Sequence, residues 1–359
     1  LVFLYLQKIN TLINMDFLIS KYKQMRKAKM LKSPEGKYAF VGIGQHSMSN
    51  LYPIIHYLGI DLKYLVVQSE KTLSMLQNSQ YAKIATNDLD AVISDNDIKG
   101  IFISATPKAH YGLLKKVISG NKKVFVEKPP CYGEKELKEL QNLEQQYKNA
   151  GVFVGLQKRY APAIEKLAAK IKKEKVDYYN IKYRTGKYPE GNKTYDLFIH
   201  YIDLAIYLFG KVKSFEHVIS NEGVVFIIFN HENGTKGFLE LSCNHSWKNI
   251  DEGLYMATSK GFYTLSGLSS LSFTAKPSSI MGIPMEKVFE TKTTIQYLYN
   301  QKQELPTPEE NNISTNGYFG EINNFIAWCN SGDSKYNKSS LDSISHLYYI
   351  LDKINEIIK

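Results

Sequence analysis

From residue 38 to residue 156, short apolar runs alternate with amphipathic stretches. Residues 38–43 form the first run, with helical spacing over 51–58 behind it. Residues 62–67 read as a second strand, 73–77 as the start of a helix, 100–104 as a strand, 110–118 as a helix, 124–126 as a strand, 134–148 as a helix and 152–156 as a closing strand. Strands without internal alternation, separated by helices, are buried on both faces; they predict an α/β Rossmann-type domain over residues 38–157, built on a parallel sheet. Beyond Arg159 the pattern changes. Residues 178–184, 224–230, 236–243, 255–258 and 262–265 are strand-like and joined by turn residues, and amphipathic helices follow at 321–329 and 341–358. This predicts a C-terminal α+β domain over 158–359 with a large, mostly antiparallel sheet. Alternation in 224–229 and 238–241 leaves that sheet an apolar face without a covering helix, which predicts a homodimer or homotetramer joined through it.

Composition narrows the class. With 359 residues the chain is long enough for two domains, and 43% hydrophobic against 22% charged residues describes a globular protein. The formal charge of +10 raises the question of nucleic acid, but residues 1–37 hold eight Lys or Arg against two acids. Most of the excess therefore sits in a basic N-terminal extension, and no compact basic stripe predicts a nucleic-acid surface elsewhere. Leu12, Ile13, Phe17, Leu18, Tyr22 and Met25 give the extension near-helical spacing, predicting a helix packed on the body or on a second subunit. No membrane attachment is expected. Cys131, Cys243 and Cys329 are far apart with no metal-ligand spacing, so neither a metal site nor a disulfide framework is expected, and the reading is a reducing cytoplasm.

Chemistry concentrates first at the end of the strand over 124–126, where Glu127, Lys128, Pro129 and Pro130 follow at once. An abrupt stop delivers a Glu-Lys pair to the carboxyl edge of the sheet, where open α/β sheets bind ligands. A lysine withdrawn from water loses proton affinity and can exchange a proton with a carbinol oxygen. Upstream, Gly42-Ile43-Gly44-Gln45-His46-Ser47 follows a strand and opens a helix. The first glycine permits the tight turn, the second lets backbone approach a pyrophosphate, and Ser47 stands where a third glycine would be.

These segments resemble the Gfo/Idh/MocA family (glucose-fructose oxidoreductase, inositol dehydrogenase and rhizopine-catabolism proteins). The likeness runs through 41–44, Ala105-Thr106-Pro107-Lys108-Ala109-His110, 120–129 and Asp196-Leu197-Phe198-Ile199-His200-Tyr201-Ile202-Asp203, in that order, over residues 38 to about 355. It implies an NAD- or NADP-dependent oxidoreductase with a Rossmann domain and a larger sheet domain. It also implies that Thr106, Pro107 and His110 lie along the nicotinamide ribose, with a satisfied histidine at a helix N-terminus as the comparable alternative for His110, and that Asp196 and His200 bind sugar or cyclitol hydroxyls and share proton transfer with Lys128. Phe198 stands where the family usually has glycine, and the glycines before the Asp are replaced by Asn192-Lys193-Thr194-Tyr195. That departure implies a reshaped substrate pocket.

The residues themselves add detail. Asp196, His200 and Asp203 are four and three apart, so a regular helix would carry all three on one face, the imidazole between two carboxylates and oriented by Asp196. Arg159, Lys187 and Tyr188 are candidate substrate contacts, with an interdomain ion pair as the alternative for Arg159. Ser69 is the expected ribose contact after the second strand, with Glu70 and Lys71 beside it, which leaves NAD and NADP both open and tilts toward tolerance of NADP. The expected cofactor set is therefore Gly42, Gly44, Gln45, His46, Ser47, Ser69, Thr106, Pro107, His110, Glu127 and Lys128. The expected reaction is hydride transfer to or from a secondary alcohol of a sugar, sugar derivative or cyclitol. Two alternatives stay open: a glycosidase using transient oxidation by NAD, and a non-catalytic dinucleotide or sugar sensor.

Overall fold

The computed structural model describes residues 15–28, 33–77, 81, 83–221, 223–290, 292–301, 308–309 and 311–358. Helix α1 covers residues 15–28. Its apolar side chains Phe17, Leu18, Tyr22 and Met25 are more than 60% exposed, so the helix forms as its spacing predicts but does not bury its stripe on the body. Leu12 and Ile13 lie outside the described residues.

Six strands then make a parallel sheet: β1 (Lys37–Val41), β2 (Asp61–Val66), β3 (Ile84–Thr86), β4 (Ile98–Ile103), β5 (Lys123–Glu127) and β6 (Gly151–Gly155), in the order β3-β2-β1-β4-β5-β6. The helices between them are α2 (Tyr52–Tyr57), α3 (Glu70–Leu76), α4 (Leu89–Ser94), α5 (Pro107–Ser119) and α6 (Glu134–Gln145). Central strands are apolar on both faces because both are covered: Tyr38, Ala39 and Phe40 of β1 and Val124, Phe125 and Val126 of β5 are fully buried. The order reverses between β1 and β4, so a crevice opens beyond their carboxyl ends. The sequence pattern missed β3 and α4, which are too short to show a period.

After α7 (Pro162–Ile171) come β7 (Val176–Arg184), α8 (Ile199–Phe209), β8 (Val212–Asn221), β9 (Val224–His231), β10 (Lys236–Ser242), β11 (Asp251–Thr258), β12 (Gly261–Ser266), β13 (Ser270–Ala275), the small hairpin β14 (Ser279–Ile280) and β15 (Ile283–Pro284), and β16 (Ile295–Asn300). All but the hairpin join one sheet in the order β16-β13-β12-β11-β7-β10-β9-β8. It is antiparallel throughout except at β7–β10, which run parallel. Helix α8 lies on its inner face, where Tyr179 stacks on Phe209 at 3.9 Å and Tyr183 meets Tyr201 at 4.6 Å. The outer face carries Tyr178, Ile228, Phe238 and Phe262, all exposed.

The chain ends with α9 (Asn312–Thr315), α10 (Tyr318–Ser331) and α11 (Ser345–Ile358). Helix α10 packs on the first sheet, not the second, with the ring of Phe325 within 5.8 Å of Phe102, Phe125 and Phe153. Helix α11 packs against α6 and α8, which joins the two sheets' layers.

Candidate active site

The crevice at the strand reversal is a cavity of about 740 Å³. It is lined by Gly42, Gly44, Gln45, His46 and Ser47 after β1, by Gln68, Ser69 and Thr72 after β2, by Thr106, Pro107 and His110 after β4, and by Glu127 and Lys128 after β5. The whole expected cofactor set thus converges on one cleft. Gly42 has φ +93°, and a Cβ there would meet the Ser104 carbonyl oxygen at 2.4 Å, so the turn needs glycine twice over. At Gly44 a Cβ would meet nothing within 4 Å, because that position faces the open cleft. Ser47 is buried and its hydroxyl donates to the Gly44 carbonyl at 3.0 Å while accepting from the Gly44 amide at 2.9 Å, bracing the loop from behind. An uncluttered glycine backbone in a cavity of this size fits a dinucleotide pyrophosphate.

Two histidines serve the cleft differently. His46 Nε2 lies 3.0 Å from Glu127 Oε1. Burial disfavours the charged ring, but the Glu127 carboxylate outweighs it by charge and hydrogen bond, so His46 titrates above its ordinary value. His110 is fully enclosed, with Nδ1 2.8 Å from the Pro129 carbonyl oxygen and Nε2 3.0 Å from that of Ala105. It ties the loop after β5 to the loop after β4, and burial lowers its proton affinity. At the ribose end, Ser69 caps α3 by accepting from Thr72 N at 3.4 Å, and Glu70 accepts from Asn87 at 2.7 Å.

Lys128 reaches out of the cavity to the second domain, donating from Nζ to the backbone carbonyl of Asp196 at 2.5 Å. Burial lowers its proton affinity; Glu127 and Asp196 oppose that shift, and Lys158 adds to it. His200 is buried, its Nδ1 has no hydrogen-bond partner, and burial followed by the charges of Lys128, Lys158 and His46 holds it well below its ordinary value. Its surroundings therefore favour the neutral imidazole.

Four expectations need correction. Asp196 does not orient His200, because it sits on a π-helical turn, Lys193–Phe198, before α8 begins at Ile199. The wider turn breaks the four-residue alignment. The Asp196 carboxylate instead accepts from Tyr132 OH at 3.1 Å, from Asn192 N at 2.9 Å and from Tyr188. Asp203 does not flank the imidazole either; it is gripped by Arg159 at 2.5 and 2.9 Å, with both side chains buried. Arg159 also donates to the Lys338 carbonyl, so it is an internal brace and not a substrate contact. Lys187 is exposed and does not line the cavity, whereas Glu190 does.

Sequence reasoning passed over Tyr132, four residues after Lys128, and the group Lys158, Tyr201 and Glu252. Lys158 Nζ lies 3.0 Å from Glu252 Oε2 and 3.4 Å from Tyr201 OH, with Tyr201 donating to Glu252 at 2.6 Å. Proximity in sequence to Lys128 was a usable signal for Tyr132; nothing local marked Glu252. No cluster of metal-ligating side chains occurs, and no helix is long and apolar enough to cross a membrane, among the described residues.

Residues 36–156 match the Gfo/Idh/MocA family model, described as an oxidoreductase family with an NAD-binding Rossmann fold. The uncharacterized oxidoreductase YrbE of Bacillus subtilis is 22% identical over 179 residues, 47% of this chain and 51% of that protein, so the chain spans about half the length of the curated relative it matches. A dehydrogenase from Chromobacterium violaceum has a similar fold, with TM-score 0.75, 16% identity, and coverage of 89% of this chain and 94% of its own. So does a levoglucosan dehydrogenase in complex with NADH and levoglucosan, with TM-score 0.73, 14% identity, and coverage of 90% and 96%. At these identities the likeness to solved structures is one of fold.

Proposed function

We propose, from the match of residues 36–156 to the Gfo/Idh/MocA oxidoreductase family model, that this chain is an NAD(P)-dependent dehydrogenase acting on a secondary alcohol of a sugar, sugar derivative or cyclitol. One observation carries the reading: Lys128 lines the dinucleotide cavity and at the same time hydrogen-bonds the second domain's Asp196 turn, near the buried imidazole of His200, whose Nδ1 has no hydrogen-bond partner. Nicotinamide supplies hydride chemistry when bound. Gly42, Gly44 and Gln45 would cradle the pyrophosphate, and Thr106 and Pro107 the nicotinamide ribose. Lys128 holds or releases the proton of the substrate hydroxyl at Nζ, its proton affinity brought down by burial toward the working range. His200 is buried near Lys128, with Nδ1 unpartnered and enclosed, so its role is to shape the electrostatics around the amine, and Asp196 fixes the turn.

At the ribose end the cavity offers Gln68, Ser69 and Thr72, with the Glu70 carboxylate engaged by Asn87. No acid at that end, among the described lining residues, repels a 2′-phosphate, so the site takes NADP as well as NAD. The exposed Tyr178, Ile228, Phe238 and Phe262 favour a homodimer or homotetramer through the outer sheet face. Cys131, Cys243 and Cys329, none of them in a disulfide, suit a reducing cytoplasm. Titration with NADH and NADPH, followed by nicotinamide fluorescence across a panel of sugars and cyclitols, tests the function. Binding of at least one dinucleotide and turnover of at least one polyol are expected; a protein that binds neither dinucleotide overturns the reading.

A further inference from the structure

The last helix of the chain grips both segments that carry the proposed chemistry. Tyr348, Asp352 and Asn355 lie four and three apart on α11 and share one face. Tyr348 OH donates to the Cys131 carbonyl at 2.9 Å, and Asp352 Oδ2 accepts from Glu134 N at 2.9 Å, so two contacts hold the loop that follows Lys128. Asp352 also accepts from Tyr195 OH, and Asn355 Oδ1 accepts from Asn192 Nδ2 at 2.7 Å, so two contacts hold the Asp196 turn. Asn192 is the keystone of that turn. Its Oδ1 accepts from Thr194 N at 2.9 Å and Tyr195 N at 3.1 Å, its backbone N–H donates to Asp196 Oδ2 at 2.9 Å, and its backbone carbonyl accepts from Asp196 N at 2.8 Å.

We propose that Asn355 is a positioning residue for the site: by holding the Asn192 side chain it fixes the π-helical turn whose Asp196 carbonyl receives the Lys128 ammonium. Asn192 and Tyr195 fall in the stretch where glycines would leave the backbone free, and here side chains tied to α11 hold it instead. Without Asn355 the turn would keep its Asn192 cap and the Tyr195–Asp352 bond but lose the hold on Asn192 itself, and a misplacement of about 1 Å at a reacting group can cost on the order of a hundredfold in rate. The proposal rests on the reading of Lys128 as the proton-handling group.

Its test does not need a turnover substrate. In the full chain, Asn355→Leu keeps volume but cannot accept, and Asn192→Ser keeps an N-cap acceptor but cannot reach Asn355. Each is compared with wild type and with the double variant by amide hydrogen exchange over residues 193–198 and by the pH dependence of Lys128 acetylation with acetic anhydride, read against exposed lysines. Each single variant is expected to speed exchange in the turn about tenfold and to change Lys128 labelling several-fold, the double variant adding little to either, with NADH affinity unchanged. Wild-type exchange and labelling in Asn355→Leu, or effects of the two substitutions that simply add, would overturn the proposal. Absence of polyol turnover in the wild type would instead count against the proposed function and leave this result standing.

Discussion

His46 Nε2 stands 3.0 Å from Glu127 Oε1, joining the loop after β1 to the end of β5 across the mouth of the cofactor cleft. Because the Glu127 carboxylate outweighs burial and raises His46 above its ordinary 6.5, the folded state binds this proton more tightly than the unfolded chain. The stability that His46 contributes is therefore fully present below pH 6.5 and is lost as pH rises through the raised folded value. His200 has the opposite sign: burial keeps it neutral, so its share of stability is lost as pH falls below 6.5. NMR titration should find His46 turning over above the ordinary value and moving down in Glu127→Gln, with His200 remaining neutral throughout. A His46 midpoint indifferent to Glu127→Gln would break the link.

The two loop glycines should fail in different ways. Gly44→Val places its side chain in open cleft, so the fold should survive while binding of NADH and NADPH is abolished. Gly42→Ala drives a Cβ into the Ser104 carbonyl at a positive φ, so stability should fall along with binding. Thermal melts run beside fluorescence titrations separate the two; a Gly44→Val protein that binds dinucleotide normally would remove this loop from the site.

What the sequence disclosed and what it concealed follow from the range of the interactions. The convergence of Gly42, Gly44, Glu127 and Lys128 on one cleft was legible because strand ends and turns are local, and a doubly wound sheet brings all such ends to one edge. The expected pairing of Asp196 with His200 fails, since a π-helical turn leaves no mark in a spacing rule built on 3.6 residues per turn. The partner of Asp203 lies 44 residues away, and that of Asn192 is 163 residues on, at separations where no periodicity carries information. The parallel β7–β10 pair was likewise hidden, because strand direction depends on the path of α8, β8 and β9 and not on the alternation within either strand.

Arg159 and Asp203 form a buried pair, and removing one partner strands the other charge. Arg159→Met should cost about 3–5 kcal/mol of stability. If the side chain is a brace, dinucleotide affinity measured below the melting transition should be unchanged. Normal stability with weakened ligand binding would return Arg159 to the cleft.

The outer sheet face should hold copies of the chain together. Ile228 and Phe238 occupy paired positions on neighbouring strands and are 40% and 37% exposed, a poor arrangement for an isolated monomer of 41.1 kDa. Light scattering should return a multiple of that mass, and the double variant Ile228→Asp, Phe238→Asp should return the monomer. A wild-type mass near 41 kDa at micromolar concentration would count against the interface.

Lys128 should be the most sensitive position once a substrate is in hand. Its ammonium is enclosed between the cavity and the Asp196 carbonyl, so Lys128→Ala should lower kcat by about 10²–10⁴-fold with little change in dinucleotide affinity. Lys128→Arg should rescue poorly, because a guanidinium stays protonated and cannot accept the substrate's proton. The linkage gives an independent check. With the folded value below the ordinary 10.5, the unfolded chain binds more protons between the two, so stability should rise with pH through that window. Lys128→Met should flatten that rise and gain stability at neutral pH, where the wild type carries the cost of a buried charge. A Lys128→Ala enzyme with near wild-type kcat and an unchanged pH–stability curve would show the amine to be neither buried as a charge nor used as an acid, and the proton would then have to pass through His200.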